Sequence, residues 1–105
     1  MGIFKKKVDK ETKELLRQID GKLIEYCRER DNVSYIETLL GKSGRINVTN
    51  DEVVILCEAH EVFRGDILSV QGGEFLSHEG VTLSAIDKNT GVRRSIMAYY
   101  KYYRK

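Results

Sequence analysis

The period of the apolar residues changes once along this chain, near Gly44, and this change restricts the fold more than any other feature. Before it, apolar residues recur at spacings of three and four, the period of an amphipathic helix. After it, apolar and polar residues alternate, the period of a β-strand. Helices followed by strands, rather than alternating with them, are typical of an α+β fold. The 105 residues are enough for one buried core, so we expect a single domain over 1–105, with a helical part in 1–41 and a β part in 42–105.

Two helices are predicted in the first 41 residues. The first is indicated by an apolar stripe that Asp9 can cap at its N-terminus, and Gly21 predicts a kink or break within it. A second, short helix is indicated by Ser34 and Glu37, which have the spacing of a capping box, and it would end at Gly41. The stripe of the first helix consists of Val8, Leu15, Leu16, Ile19, Leu23, Tyr26 and Cys27.

The rest of the chain predicts five strands. Asn50-Asp51, Ala59-His60 and the loop 87–91 have the composition of turns between them. We therefore expect a five-stranded antiparallel meander that forms a small barrel or a sheet covered by the long helix. The expected strands are 45–49, 53–57, 61–70 with a bend at Gly65, 81–85 and 92–103.

The sequence contains no complete catalytic or cofactor motif. Gly41-Lys42-Ser43 is similar to the end of a phosphate-binding loop, but Ile36 stands where that motif requires its first glycine. The histidines, His60 and His78, each lie near a predicted turn and do not form a metal-ligand pattern. We therefore expect no enzymatic activity, no cofactor and no metal.

Cysteine content and hydropathy suggest a compartment. The chain has two cysteines, Cys27 and Cys57, whereas small secreted domains are rich in disulfides. A bridge between them would require their Cα atoms to lie within about 7 Å. No apolar run reaches the length of a membrane span, and the basic N-terminus lacks the apolar region of a signal peptide. We expect a cytoplasmic protein without membrane association.

Charge is unevenly distributed, and the C-terminal end is both basic and rich in tyrosine. Residues 88–105 carry six basic residues and no acidic one, whereas 42–87 carry eight acidic residues and three basic ones. If 92–103 is a strand, Tyr99, Lys101 and Tyr103 share one face and Tyr100 lies on the other. The candidate contact residues are Arg93, Arg94, Tyr99, Lys101, Tyr103 and Arg104.

These features favour a non-enzymatic domain that acts through protein contacts and self-association, using the final strand as an exposed edge. The alternative is a nucleic-acid-binding module in which tyrosines stack on bases and the cations neutralise phosphates. Binding that weakens steeply with salt would distinguish the second hypothesis from the first.

The segment Phe63-Arg64-Gly65-Asp66-Ile67, followed by Val70, resembles the core of the first Sm motif. This resemblance to Sm-like small β-barrels extends over 34–103. It implies a small barrel. The chain has Gln71 where that family has Asp, and it lacks the family's Met-Asn pair, so RNA binding is not carried over. Residues 48–52 are similar to a turn of pleckstrin-homology-like sheets, which usually close with a C-terminal helix that is not predicted here.

Overall fold

The computed structural model describes residues 8–101, which form seven β-strands and one α-helix. Helix α1 spans Lys10–Ile19, and a 3₁₀ turn at Ile67–Ser69 joins the fourth and fifth strands. The strands are β1 (Leu23–Arg30), β2 (Glu37–Val48), β3 (Glu52–Cys57), β4 (His60–Asp66), β5 (Gln71–Glu74), β6 (Gly80–Ile86) and β7 (Arg93–Tyr100). No helix in the described part of the chain is long and apolar enough to cross a membrane.

The seven strands form one antiparallel sheet in the order β4-β3-β2-β1-β7-β6-β5. The sheet is open, although an isolated bridge between Gly65 and Asp87 links the outer strand β4 to the end of β6. The predicted fold, two helices followed by a five-stranded meander that closes or lies under a helix, is therefore wrong. The first and last strands, β1 and β7, pair at the centre of the sheet, which a simple meander does not produce. Because β7 also pairs with β6 on its other side, the final strand is not the exposed edge that the sequence predicts.

The first helix has the predicted start but is much shorter than predicted. The carboxylate of Asp9 accepts a hydrogen bond from the Thr12 N–H at 2.8 Å, which confirms the N-cap. The helix ends at Ile19 because Asp20 is extended, with ψ of 125°, and Gly21 follows with φ of +83°, in the left-handed region that favours glycine. The far end of the predicted stripe lies in β1 instead, with Leu23, Tyr26 and Cys27.

The predicted second helix is replaced by the first half of β2. The Ser34 hydroxyl accepts the Ile36 N–H at 3.3 Å, and the Glu37 carboxylate pairs with Arg30 at 3.1 Å, so the expected capping box does not form. Gly41 pairs with Cys27 in the sheet rather than ending a helix. The register shifts beside this pair, which leaves one extra residue, Leu40, as a β-bulge in β2.

The core lies between α1 and the inner face of the sheet. From the helix it receives Leu15, Leu16 and Ile19, on the stripe that the sequence predicts. The fully buried large side chains are Phe63, Ile19, Ile24, Ile46, Ile55, Leu83, Ile96, Val53, Val81 and Cys27. The inner face is therefore occupied, and the surfaces open to partners are the outer face of the sheet and its two ends.

Candidate functional site

Exposed apolar side chains concentrate at the end of the β1–β2 hairpin. Val33 is 88% exposed, Tyr35 73% and Ile36 65%. Val92, which precedes β7, is also exposed and lines the same groove as Val33 and Ile36. We call Val33, Tyr35, Ile36 and Val92 the hairpin end. Apolar groups exposed together in this way are typical of surfaces that a partner covers.

The backbone of the hairpin end is held in place by Asp31. Its Oδ1 accepts the N–H of Val33 at 2.7 Å and that of Ser34 at 3.2 Å. Its backbone carbonyl accepts the Tyr35 N–H at 2.8 Å, and its own N–H donates to the Ile36 carbonyl at 2.9 Å. The Val33 and Ser34 N–H groups lower the pKa of the Asp31 carboxyl below its ordinary value of 3.8. The apolar side chains are therefore displayed on a structured turn.

A groove of about 570 Å³ runs beside the hairpin end, between the β1–β2 connection and the start of β7. Val33, Ile36 and Val92 give it an apolar side, and Arg30 and Arg93 lie on its rim. The groove is open to solvent and has both apolar and charged walls. It is suited to an extended peptide or a loop of another protein rather than to an enclosed small molecule.

Arg94, one of the candidate contact residues, lies at the bottom of this groove in an internal ion-pair network. Its Nε and Nη2 donate to the two carboxylate oxygens of Glu29 at 2.9 and 2.7 Å, and its Nη1 donates to Asp87 at 2.7 Å. The guanidinium also lies over the Phe63 ring, 5.4 Å from its centroid. The bonds to Glu29 raise the pKa of Arg94 further above its ordinary value. Arg94 thus connects β7 to β1, and each of its three guanidinium nitrogens donates a hydrogen bond within the chain.

The other candidates lie in different surroundings. Arg93 is exposed and donates to the Ser69 carbonyl at 3.1 Å and to the Ser84 hydroxyl at 3.0 Å. Lys101 is exposed directly after β7, and its backbone N–H donates to the Leu23 carbonyl at 2.9 Å. Tyr103 and Arg104 lie outside the described residues.

Tyr99 belongs to an aromatic cluster on the outer face of the sheet, as the strand alternation predicts. Its ring stacks on that of Tyr26, with centroids 4.4 Å apart and planes 17° from parallel. Phe75 approaches the same ring edge-on at 5.1 Å, and the Arg28 guanidinium lies 5.6 Å from the centroid of Tyr26. Burial, followed by the neighbouring Tyr26, raises the pKa of Tyr99. We call Tyr26, Phe75 and Tyr99 the aromatic cluster.

Tyr100 points to the opposite face and is 4% exposed. Its hydroxyl donates to the Glu74 carboxylate at 2.7 Å, and the Lys22 ammonium lies 4.9 Å from its ring centroid. Burial and this carboxylate raise the pKa of Tyr100. The prediction that Tyr99 and Tyr100 lie on opposite faces is confirmed, although the strand ends at Tyr100 rather than at Tyr103.

Cys27 and Cys57 are both free thiols buried in the core. Their Sγ atoms lie 3.7 Å apart, and burial raises the pKa of Cys27 to about 12 and also raises that of Cys57. A protonated, enclosed thiol is a poor nucleophile. Within residues 8–101, no group of three or more His, Cys, Asp or Glu side chains is arranged to hold a metal ion.

The sequence did not reveal the hairpin end, because residues 34–40 have the signals of a helix. An available signal was Asp31-Asn32 followed by Ser34, a polar run typical of a turn between two strands. Comparison with known proteins adds no identity, because no family model, curated protein or solved structure matches the chain.

Proposed function

We propose that this chain is a non-enzymatic interaction domain that acts through protein contacts, including self-association, and that the hairpin end is its main contact surface. The observation that carries the proposal is the exposure of Val33, Tyr35 and Ile36 on a turn that Asp31 holds in place. Leaving such side chains in water has a free-energy cost that burial against a partner would remove.

The composition of this surface supports a protein partner. Interface centres are enriched in aromatic and aliphatic side chains, and arginine is common around them. Here Tyr35 and Ile36 would form the centre, and Arg30 and Arg93 would form the rim. Because the turn is already ordered, binding would lose little conformational entropy.

The state of the reactive groups supports binding rather than catalysis. Burial keeps the Cys27 and Cys57 thiols protonated, and Arg94 has its donors on Glu29 and Asp87. The two free thiols also support a reducing compartment, and we propose a cytoplasmic location.

The test compares one double variant and one single-residue control, all at exposed side chains, in the full chain. Partners would be captured from the native host with the wild type, then purified, and their affinities measured individually. The double variant Tyr35→Ser/Ile36→Ser should weaken binding at least about tenfold, because it removes the apolar centre of the interface. Leu76→Ser is the matched control, since Leu76 is fully exposed in the β5–β6 connection, at the end of the sheet opposite the hairpin end. Equal binding by wild type, double variant and control would overturn the proposal.

A second candidate function, nucleic-acid binding, is favoured by the aromatic cluster. Tyr26 and Tyr99 lie on an open sheet face beside the Arg28 guanidinium, an arrangement that can stack single-stranded bases and neutralise phosphates. Fluorescence anisotropy with a labelled single-stranded oligonucleotide at low salt tests it. Binding should weaken steeply with added salt and be lost in Tyr26→Ala/Tyr99→Ala, but not in Tyr35→Ala. A flat titration at low salt would remove this candidate.

A further inference from the structure

Strand β2 is longer than its neighbour β3, which leaves part of its edge without a partner strand. Of the twelve residues of β2, only 44–48 pair with β3, whereas pairing with β1 extends over 37–45. On the side away from β1, no strand among residues 8–101 pairs with 37–42. Glu37, Thr38, Leu39 and Lys42 are exposed there. We call residues 37–42 on this side the open edge.

The bulge at Leu40 gives the open edge its symmetry. In the β1–β2 ladder, Glu37 lies opposite Arg30, and Lys42 lies opposite Tyr26. Arg30 and Tyr26 are four positions apart in β1 and therefore share a face. Glu37 and Lys42 are five positions apart and would lie on opposite faces of a regular strand. The extra residue, Leu40, places them on the same outer face, each two ladder positions from the Arg28–Leu39 pair.

An edge with this arrangement is complementary to itself. When two copies lie antiparallel about a twofold axis at Leu39, residues on the same face stand opposite one another. Glu37 then faces Lys42 of the partner subunit, and Lys42 faces the partner's Glu37. Thr38 faces the partner's Gly41, and Leu39, which is 45% exposed, lies at the axis. Both cross-strand pairs join opposite charges, which stabilises the register.

The other edges of the sheet are less suited to pairing. The β4 edge meets the segment after β6, through the bridge of Gly65 with Asp87 and a 2.8 Å bond from the Lys88 N–H to the Arg64 carbonyl. The opposite edge, β5, has four residues, three of them Gln71, Gly72 and Gly73, and α1 packs beside it. Among the described strands, the open edge of β2 therefore offers the longest run of unpaired backbone with side chains that specify a partner.

We propose that two copies of this chain pair through the open edge of β2, which extends the sheet across a twofold axis with the Glu37–Lys42 pairs on either side. This inference rests on the self-association part of the proposed function and identifies its surface. The backbone hydrogen bonds supply affinity, and the two charge pairs select a second copy in antiparallel register over an unrelated strand.

Charge reversal tests the register. Sedimentation velocity over a micromolar concentration series should show a wild-type dimer, and Glu37→Lys and Lys42→Glu should each weaken it about tenfold or more, because each places two like-charge pairs across the axis. The double variant Glu37→Lys/Lys42→Glu restores opposite charges, as does an equal mixture of the two single variants. Both should recover wild-type affinity to within about threefold.

The double variant controls for effects inside one chain. It lacks the Arg30–Glu37 ion pair, as Glu37→Lys does, so recovery of its dimer affinity cannot come from that pair. A second measurement reports the register directly. In mixtures of Glu37→Cys with Lys42→Cys, oxidation should yield a disulfide-linked dimer, whereas either variant alone should not, since like positions lie apart across the axis. The native thiols are buried, so they contribute little background.

The outcomes separate this inference from the proposed function. If the wild type dimerises but both charge reversals leave the dimer affinity unchanged and no mixed disulfide forms, edge pairing is overturned but self-association is retained. A strictly monomeric wild type overturns edge pairing too. It does not test the hairpin end as a contact surface, because that part of the proposed function is tested by the affinity of purified partners for wild type and Tyr35→Ser/Ile36→Ser. A dimer weakened by the single reversals but not recovered in the mixture also overturns the inference.

Discussion

The Sγ atoms of Cys27 and Cys57 lie 3.7 Å apart, although β2 separates the strands that carry them. Cys27 pairs with Gly41 of β2 and Cys57 pairs with Gly44. A methyl group at Gly41 would lie 2.6 Å from the Cβ of Cys57, and one at Gly44 would meet the carbonyl oxygen of Leu56. The two glycines therefore allow side chains from β1 and β3 to meet over the strand between them.

Alanine at these glycines should destabilise the fold to different extents. Gly44→Ala would press on backbone and should cost about 3 kcal/mol in the free energy of unfolding, whereas Gly41→Ala presses on the Cys57 side chain and should cost about 1–2 kcal/mol. Urea unfolding measures both. Gly73→Ala is the control, because nothing lies within 4 Å of its added methyl, and it should change stability by less than about 0.5 kcal/mol. Equal losses at all three positions would contradict the packing argument.

The raised pKa of Cys27 predicts a loss of stability at alkaline pH. The folded chain holds the thiol proton up to a pKa of about 12, whereas an unfolded chain releases it near the ordinary value of 9.0. The stability from this group is complete below pH 9 and is lost as pH rises through the folded value, by up to about 1.4 kcal/mol per pH unit.

Urea unfolding at a series of pH values above 9, compared between wild type and Cys27→Ala, isolates this contribution from other titrating groups. The wild type should show the steeper decline. Parallel curves would mean that the thiol ionises without unfolding the chain. At neutral pH, a thiol reagent should label both cysteines only as fast as the chain opens, because both are buried.

The main error in the sequence-based fold comes from β-bulges, which imitate a helical period. Ile24 and Cys27 are both fully buried at a spacing of three, which is typical of a helix. In the structure a register shift between β1 and β7, after Ile24, lets both residues face the core from a strand. The same applies to Leu40, where the bulge in β2 disturbs the alternation. A bulge has no clear signature in a single sequence, because the partner strand defines it.

Elements fixed by local chemistry were predicted well. Three such elements depend on neighbours in the sequence and are confirmed: the Asp9 cap, strand β3 and the loop 87–91. In that loop, Gly91 has the positive φ expected of its position, +76°. The alternation that puts Tyr99 on the outer face and buries Tyr100 is also local. The surroundings of Arg94 could not be predicted in this way, since its partner Glu29 is 65 residues away and is brought near only by the pairing of β1 with β7.

Arg94→Met should destabilise the chain strongly. It would leave Glu29 and the 3% exposed Asp87 without their cation, and removing one partner of a largely buried pair costs about 3 kcal/mol. Arg17→Met is the matched control, because Arg17 and Glu14 form a solvent-exposed pair, and it should cost less than about 0.5 kcal/mol. Thermal unfolding at neutral pH measures both. A small effect of Arg94→Met would show that water replaces the guanidinium at the bottom of the groove.

Asp31→Ala should loosen the hairpin end and weaken partner binding without unfolding the domain. The Val33 and Ser34 N–H groups lose their acceptor, so their amide hydrogens should exchange about tenfold faster or more, while amides of the core strands keep their protection. Asp31→Asn is the control, because the amide oxygen can still accept both bonds. In the wild type, the lowered pKa of Asp31 means that its contribution is complete above pH 3.8 and is lost as pH falls through the lower folded value. Unchanged exchange in Asp31→Ala would show that the strands alone order the turn, and the hairpin end would then not depend on this carboxylate.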